Sequence, residues 1–208
     1  MRRGRPPKGD SAESRHKLLT AAMTLFSEQG LDSVSTRHLA RTAGVNLSAI
    51  AYHFGGKEQL HEAAVQHALD ELAPRREAVI QHLETILEQA GGDRIVLAGS
   101  IKLFVRGIFT IFVQDNFPVV PIRMLMREIH HPTSSFDLVI EGHINPIQDA
   151  VAGLAAIALG KDISDPEVRL LGMSVTGQIF MLGIMQPSFC RAWAGPIIRL
   201  TMPTQLSN

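Results

Sequence analysis

Between Thr36 and Lys57 the chain places short polar and basic side chains where a groove-reading element would need them. Asn46, Ser48 and Ala49 stand at the leading end of one short segment, with Tyr52 and His53 a turn further on. Thr36 and Arg37 open the segment before it, and Lys57 opens the one after it. Small and polar side chains at the leading end of a helix fit the floor of a DNA major groove. A hydroxyl, a guanidinium and an ammonium at helix starts, with the free amides there, suit phosphate oxygens. These eight residues form the candidate contact set. The N-terminal arm adds Arg3 and Arg5, which flank Gly4 before Pro6. Extended arginines beside glycine match a narrow A·T-rich minor groove, where the negative potential is enhanced. A plain basic tail attracting any polyanion is the alternative for the arm.

Such side chains need a scaffold, and the flanking pattern supplies one. A first helix is expected from near Asp10, with Glu13 three residues on as the second half of a capping box. Its apolar positions Leu18, Leu19, Ala22, Leu25 and Phe26 share a face, and Gly30 stops it. Ser35 caps a second helix to about Thr42, and Asn46 caps a third to about His53. Gly44 takes the turn between them, while Leu39, Ala40, Ala43, Val45, Ile50 and Phe54 form the core that sets their crossing. Two short helices joined by a glycine turn make a helix-turn-helix. A fourth helix is expected from Lys57 to Ala73, ended by Pro74.

Beyond Pro74 the pattern stays helical: about Arg75–Gln89, Val96–Val113, Pro121–His130, Leu138–Leu159 and Pro166–Met185. The last opens with Asp165 as cap and Pro166 in the first helical position. No segment alternates with period two long enough for a convincing strand, so the fold class is all-α. The organisation expected is a flexible basic arm (1–10), a DNA-binding domain (11–56), a connecting helix (57–73) and a larger ligand-binding and dimerisation domain (74–208). Ile140, Ile144, Ile147, Val151, Leu154 and Ala158 recur at helical spacing, and the helix after them is apolar nearly all round. Two such helices from each of two subunits would make a four-helix dimer interface. A homodimer also follows from the reading mode, since one short helix covers too few base pairs for specificity. The stretch Ile101–Phe136 is rich in Phe and Met, suited to an apolar cavity with a few polar groups. Phe104, Phe112, Met124, Arg127, Glu128, His131, His143 and Gln178 are its candidate lining.

Composition bounds the alternatives. Formal net charge is zero, yet nine Lys/Arg stand against four Asp/Glu up to Lys57, and eleven against sixteen after it. A basic front and an acidic rear suggest that only the front meets a polyanion. A lone Cys190 excludes an internal disulfide and fits a reducing cytoplasm, and no signal-peptide pattern follows the basic start. The uncharged stretch Leu170–Cys190 carries three glycines and a proline, so a buried helix is expected there and no membrane span. Adjacent His130 and His131 diverge on a helix and no Cys joins them, so no metal is expected. No Ser/His/Asp arrangement, no paired Glu-x-x-His motif and no phosphate-cradling glycine loop recommends an enzyme, and no cofactor is expected.

The same residues resemble the DNA-binding domain of the TetR/AcrR family of transcriptional regulators. The first helix ends in F-x-x-x-G at Phe26 and Gly30. A T-x-x-x-I/L-A-x-x-A-G-V pattern then matches Thr36, Leu39 or Ala40, Ala43, Gly44 and Val45. Finally, F-x-x-K-E-x-L matches Phe54, Lys57, Glu58 and Leu60. The stretch from Phe117-Pro118 through Arg127-Glu128-Ile129-His130-His131-Pro132 resembles the C-terminal domain of the CecR-like subgroup. The resemblance implies a homodimer on palindromic double-stranded operator DNA, a repressor released by a small-molecule effector. An effector-independent architectural DNA-binding protein is the alternative. One departure stands out: Ala51 occupies a position where many family members carry tyrosine, and the aromatic falls at Tyr52 instead. Ala51 is then expected to pack inward, leaving Tyr52 and His53 to reach the DNA.

Overall fold

The computed structural model describes residues 8–91, 93, 95–99, 101–102 and 118–193, with backbone alone at 8–10, 179–180 and 182–193. Arg3 and Arg5 of the arm, and Phe104 and Phe112 of the expected cavity, lie outside the described residues. The elements run α1 (Lys8–Gln29), α2 (Thr36–Ala43), α3 (Ser48–Phe54), α4 (Lys57–Ala90), α5 (Val119–His130) and α6 (Phe136–Val139). A π-helical turn (Ile140–Ile144), α7 (Asn145–Leu159) and α8 (Pro166–Trp193) complete the order. No strand occurs among the described residues, and the fold class is all-α as the periodicity predicts.

The chain divides into two compact units: Met1–Glu77 with Pro118–Asn145, and Ala78–Phe117 with Pro146–Asn208. This differs from a boundary at Pro74, because α5 and α6 join the N-terminal helices. The reason is hydrophobic. Met124, Leu125 and Val139 are buried in one core with Leu18, Ala22, Phe26, Leu39, Ile50, Leu60 and Ala64. In the second unit Leu83, Ile86, Ala90, Leu97, Val151 and Leu154 bury together, beside a smaller cluster of Ala152, Ala155 and Val168. There α8 meets α7 closely at Gly172, where a Cβ would sit 3.4 Å from the Ala152 backbone. Arg169 also pairs with Asp149 at 2.6 Å.

Two prolines behave differently from the sequence expectation. Pro74 does not end α4, which continues to Ala90. An interior proline costs about 3 kcal/mol, but each fully buried aliphatic side chain returns about 1.5–3 kcal/mol. Leu72 before the proline, and Leu83 and Ile86 after it, are all buried. The second correction is the expected single helix Leu138–Leu159, which begins at Phe136 and contains the π turn. Pro146 has no N–H to give the carbonyl of Gly142, four residues earlier, and its ring crowds that oxygen. The Arg76 guanidinium donates to the Gly142 carbonyl instead. The wider turn thus stands where the helical ladder would have failed.

Candidate nucleic-acid interface

Local chemistry sets the helix-turn-helix. The Ser35 hydroxyl accepts from the His38 N–H at 3.1 Å, capping α2. Gly44 ends it at φ 66°, ψ 33°, a left-handed conformation that glycine adopts without penalty. The cap before α3 departs from expectation. Asn46 does not begin the helix, which starts at Ser48; its Oδ1 accepts from both the backbone N–H (3.0 Å) and the hydroxyl (2.9 Å) of Ser48. Asn46 thus organises the turn, and the Ser48 proton is already committed.

The exposed face of α3 is not quite the expected one. Ile50 is buried, and Ala49 leans on the core beside Val45 and Phe54. Ala51 is exposed, contrary to the inward packing expected of it. Residues four apart share a helix face, so Leu47 and Ala51 lie along one edge while Ser48 and Tyr52 lie along its neighbour. All four are exposed, Tyr52 by 67% and Leu47 by 47%. His53 is half-buried, with its ring 4.8 Å from that of Tyr52. Sequence reasoning missed Leu47, because an apolar residue at a helix start reads as core until its neighbours are known. Arg37 is exposed and Thr36 half-buried at the start of α2. From Val34 to Lys57 there are three Lys/Arg and no Asp/Glu. The face is therefore cationic by composition as well as shape.

Behind it, polar ties lock the reading head. Lys57 donates from Nζ to the Leu31 carbonyl at 3.0 Å, holding the α1–α2 loop against the start of α4. Arg15 lies over the Phe54 ring, 5.2 Å from its centroid. Arg127 of α5 donates to the carbonyls of Glu28 (3.4 Å) and Gln29 (3.0 Å), satisfying the open C-terminal end of α1. Next to it, Glu128 is 2% exposed and accepts from the N–H and hydroxyl of Thr133 at 2.6 and 2.7 Å. Its other oxygen lies 3.8 Å from Nε2 of His61, itself 5% exposed. Burial is the largest influence on His61 and lowers its pKa, Glu128 opposes, and Lys57 adds to the lowering. His61 is then neutral near pH 7, and Thr133 supplies the hydrogen bonds to the Glu128 carboxyl. Apart from the Glu128–Thr133 contact, none of these ties is legible in the sequence, since the partners are far apart along the chain.

The expected cavity residues separate. Met124, Arg127, Glu128 and His131 line one cleft of about 410 Å³ with Gly30, His61 and Thr133. It is a polar cleft walled by the α1–α2 loop, not an apolar chamber in the C-terminal body. His143 does not line it, and Gln178 is exposed in the other unit. His143 sits in the π turn with Nδ1 buried and unpartnered. Burial, then the nearby Arg76 charge, pull its pKa down from 6.5 to about 4.

Comparison with known proteins decides what this head belongs to. The sequence signature described as "Bacterial regulatory proteins, tetR family" matches residues 18–64. That of the "HTH-type transcriptional dual regulator CecR, C-terminal domain" matches residues 97–197. The CecR regulator of Shigella flexneri is 31% identical over 178 residues, 85% of this chain and 78% of that protein. The chain belongs to the TetR family. It is accordingly a DNA-binding transcriptional regulator, and its α2–α3 pair is the family's helix-turn-helix. Among solved structures, a TetR-family regulator from Streptomyces coelicolor A3 is 26% identical with a TM-score of 0.50, covering 92% of this chain and 91% of that one. The fold is shared more distantly with a multidrug-binding protein, EbrR, complexed with malachite green (18% identity, TM-score 0.54, 91% and 98% covered). It is shared also with a Saccharomonospora viridis regulator in complex with choline (15%, TM-score 0.56, 91% and 92%). No helix of the described residues is long and apolar enough to cross a membrane.

Proposed function

We propose that this TetR-family protein is a homodimeric repressor that binds a palindromic operator and is released by a small-molecule effector. The observation that carries the reading is the exposed, acid-free face of α2 and α3, with Lys57 tying the loop before α2 to the start of α4 and Arg127 closing the end of α1. Arg37, Ser48, Tyr52 and Lys57 are its contacts, Arg37 and Lys57 to phosphate and the others to the groove. Lys57 serves twice, since one proton goes to Leu31 and two remain for a phosphate oxygen. Arg3 and Arg5 add electrostatic attraction from the arm.

Dimerisation is supported by α8, where Leu170 (66% exposed), Met173 and Met181 are uncovered at helical spacing. A set of large exposed apolar side chains on one helix is a natural subunit contact. Effector response is supported by relatives solved with malachite green and with choline. Within this chain, a ligand that drew Arg127 away from its partners would loosen the end of α1. It would favour the released form by its difference in affinity for the two states. Acting on DNA places the protein in the cytoplasm.

Genome-wide binding followed by footprinting tests the reading. A protected palindrome is expected, with affinity falling steeply as salt rises. Two subunits should bind each site, and at least one ligand should release them. Operator affinity unchanged by every saturating ligand of the protein would overturn the effector step and leave the DNA binding intact.

A further inference from the structure

We propose that Leu47, with Ala51 beside it, reads the C5-methyl group of a thymine in the operator half-site. This rests on α3 entering the major groove, and it assigns the chemistry of one edge of that helix. The polar groups that would read bases by hydrogen bonding are partly spoken for. Asn46 Oδ1 accepts two bonds from Ser48, and the Ser48 hydroxyl proton is one of them. What the leading edge presents instead is an apolar side chain, 47% exposed, with the exposed Ala51 methyl one turn along. Leu47 is not needed by the core, which is closed at this helix by Ile50 and Ala49.

An apolar group facing the major groove finds its largest apolar complement in the methyl of thymine, whereas the donors and acceptors of the other base edges would be desolvated against it. The surrounding charge fits the same occupant, since Val34–Lys57 carries three Lys/Arg and no Asp/Glu. Leu47 also stands next to Ser48 and near Tyr52, the groups placed to fix its register. Specificity at this base therefore comes from apolar contact, with cytosine disfavoured because it has only C5–H where thymine carries the methyl, and guanine because its O6 and N7 acceptors would be desolvated.

The test uses the full-length protein and its footprinted operator. Each thymidine of a half-site is replaced in turn by deoxyuridine, which lacks only the methyl, and affinity is read by fluorescence anisotropy. Wild-type protein should lose about fourfold at one position, the worth of roughly one buried methyl. Leu47→Ala should lose a similar factor on the thymine operator and nothing further on the uracil one. A flat wild-type scan refutes methyl reading whatever the fold of the variant, the comparison with Leu47→Ala assigns the methyl to Leu47, and circular dichroism checks that the variant is folded. A flat uracil profile, or a penalty of equal size in both proteins, overturns the proposal. If Tyr52→Ala weakens binding while the profile is flat, α3 is in the groove and methyl reading is wrong. If neither variant changes affinity, the groove reading has failed and this proposal fails with it.

Discussion

Replacing Gly30 by alanine should unfold more of this protein's stability than the same change at Gly44, although both residues have left-handed backbones. Gly30 has φ 84° and Gly44 φ 66°. An L-residue forced into that region costs about 1–2 kcal/mol, and at Gly44 nothing more is expected because an added Cβ meets nothing within 4 Å. At Gly30 the Cβ would lie 2.7 Å from Arg127 Nε and 2.8 Å from its Cζ, with Nη2 closer still. The guanidinium is the far end of a flexible side chain, so it would swing out and abandon the Glu28 and Gln29 carbonyls. Only the Gln29 bond, at 3.0 Å, is short enough to count in full. A charged donor's bond is worth about 1.5–3 kcal/mol, which brings Gly30→Ala to roughly 2.5–5 kcal/mol. Urea unfolding of the full chain at one protein concentration, followed by circular dichroism, measures both. Arg127→Ala loses the same bond by another route, so the double variant should fall short of the sum by about 1.5–3 kcal/mol. Equal costs at Gly30 and Gly44, or strict additivity in the double variant, would refute the coupling of α5 to the end of α1.

Other consequences concern protons, charge and assembly. His143 is neutral when folded, its pKa lowered from 6.5 to about 4, whereas the unfolded chain takes up a proton below 6.5. Stability from this group is therefore intact above pH 6.5 and declines as pH falls toward 4, by roughly 2 kcal/mol at pH 5. His61 adds in the same direction, and His143→Gln should flatten the slope of stability against pH. Lys57→Ala should weaken all operator sites about equally and lower the salt slope by about 1. A fall in affinity with the salt slope unchanged would mean that Lys57 acts only by holding Leu31. Finally, Leu170→Glu with Met173→Glu should shift the protein to monomer in sedimentation velocity and abolish palindrome binding. A persistent dimer would place the interface elsewhere.

Much of this molecule is written in local pattern. Ser35, Gly44 and the apolar spacing of Leu39, Ala40, Ala43 and Ile50 determine a helix-turn-helix, because caps, left-handed turns and helix faces depend on residues a few positions apart. The all-α class, the family and the basic reading head follow at that range. Tertiary structure alone decided where α5 belongs, since Met124 and Leu125 would satisfy any apolar face and only packing shows that they chose that of α1. It decided that Ala51 and Leu47 face outward while Ala49 leans in, because α3 is too short for its period to choose a face by itself. It also paired Arg127 with the end of α1, Lys57 with Leu31 and Arg76 with the carbonyl that Pro146 leaves free. Those bonds join groups up to 99 positions apart. Sequence periodicity reports which side of a helix is apolar; which distant carbonyl a cation finds is settled only when the helices pack.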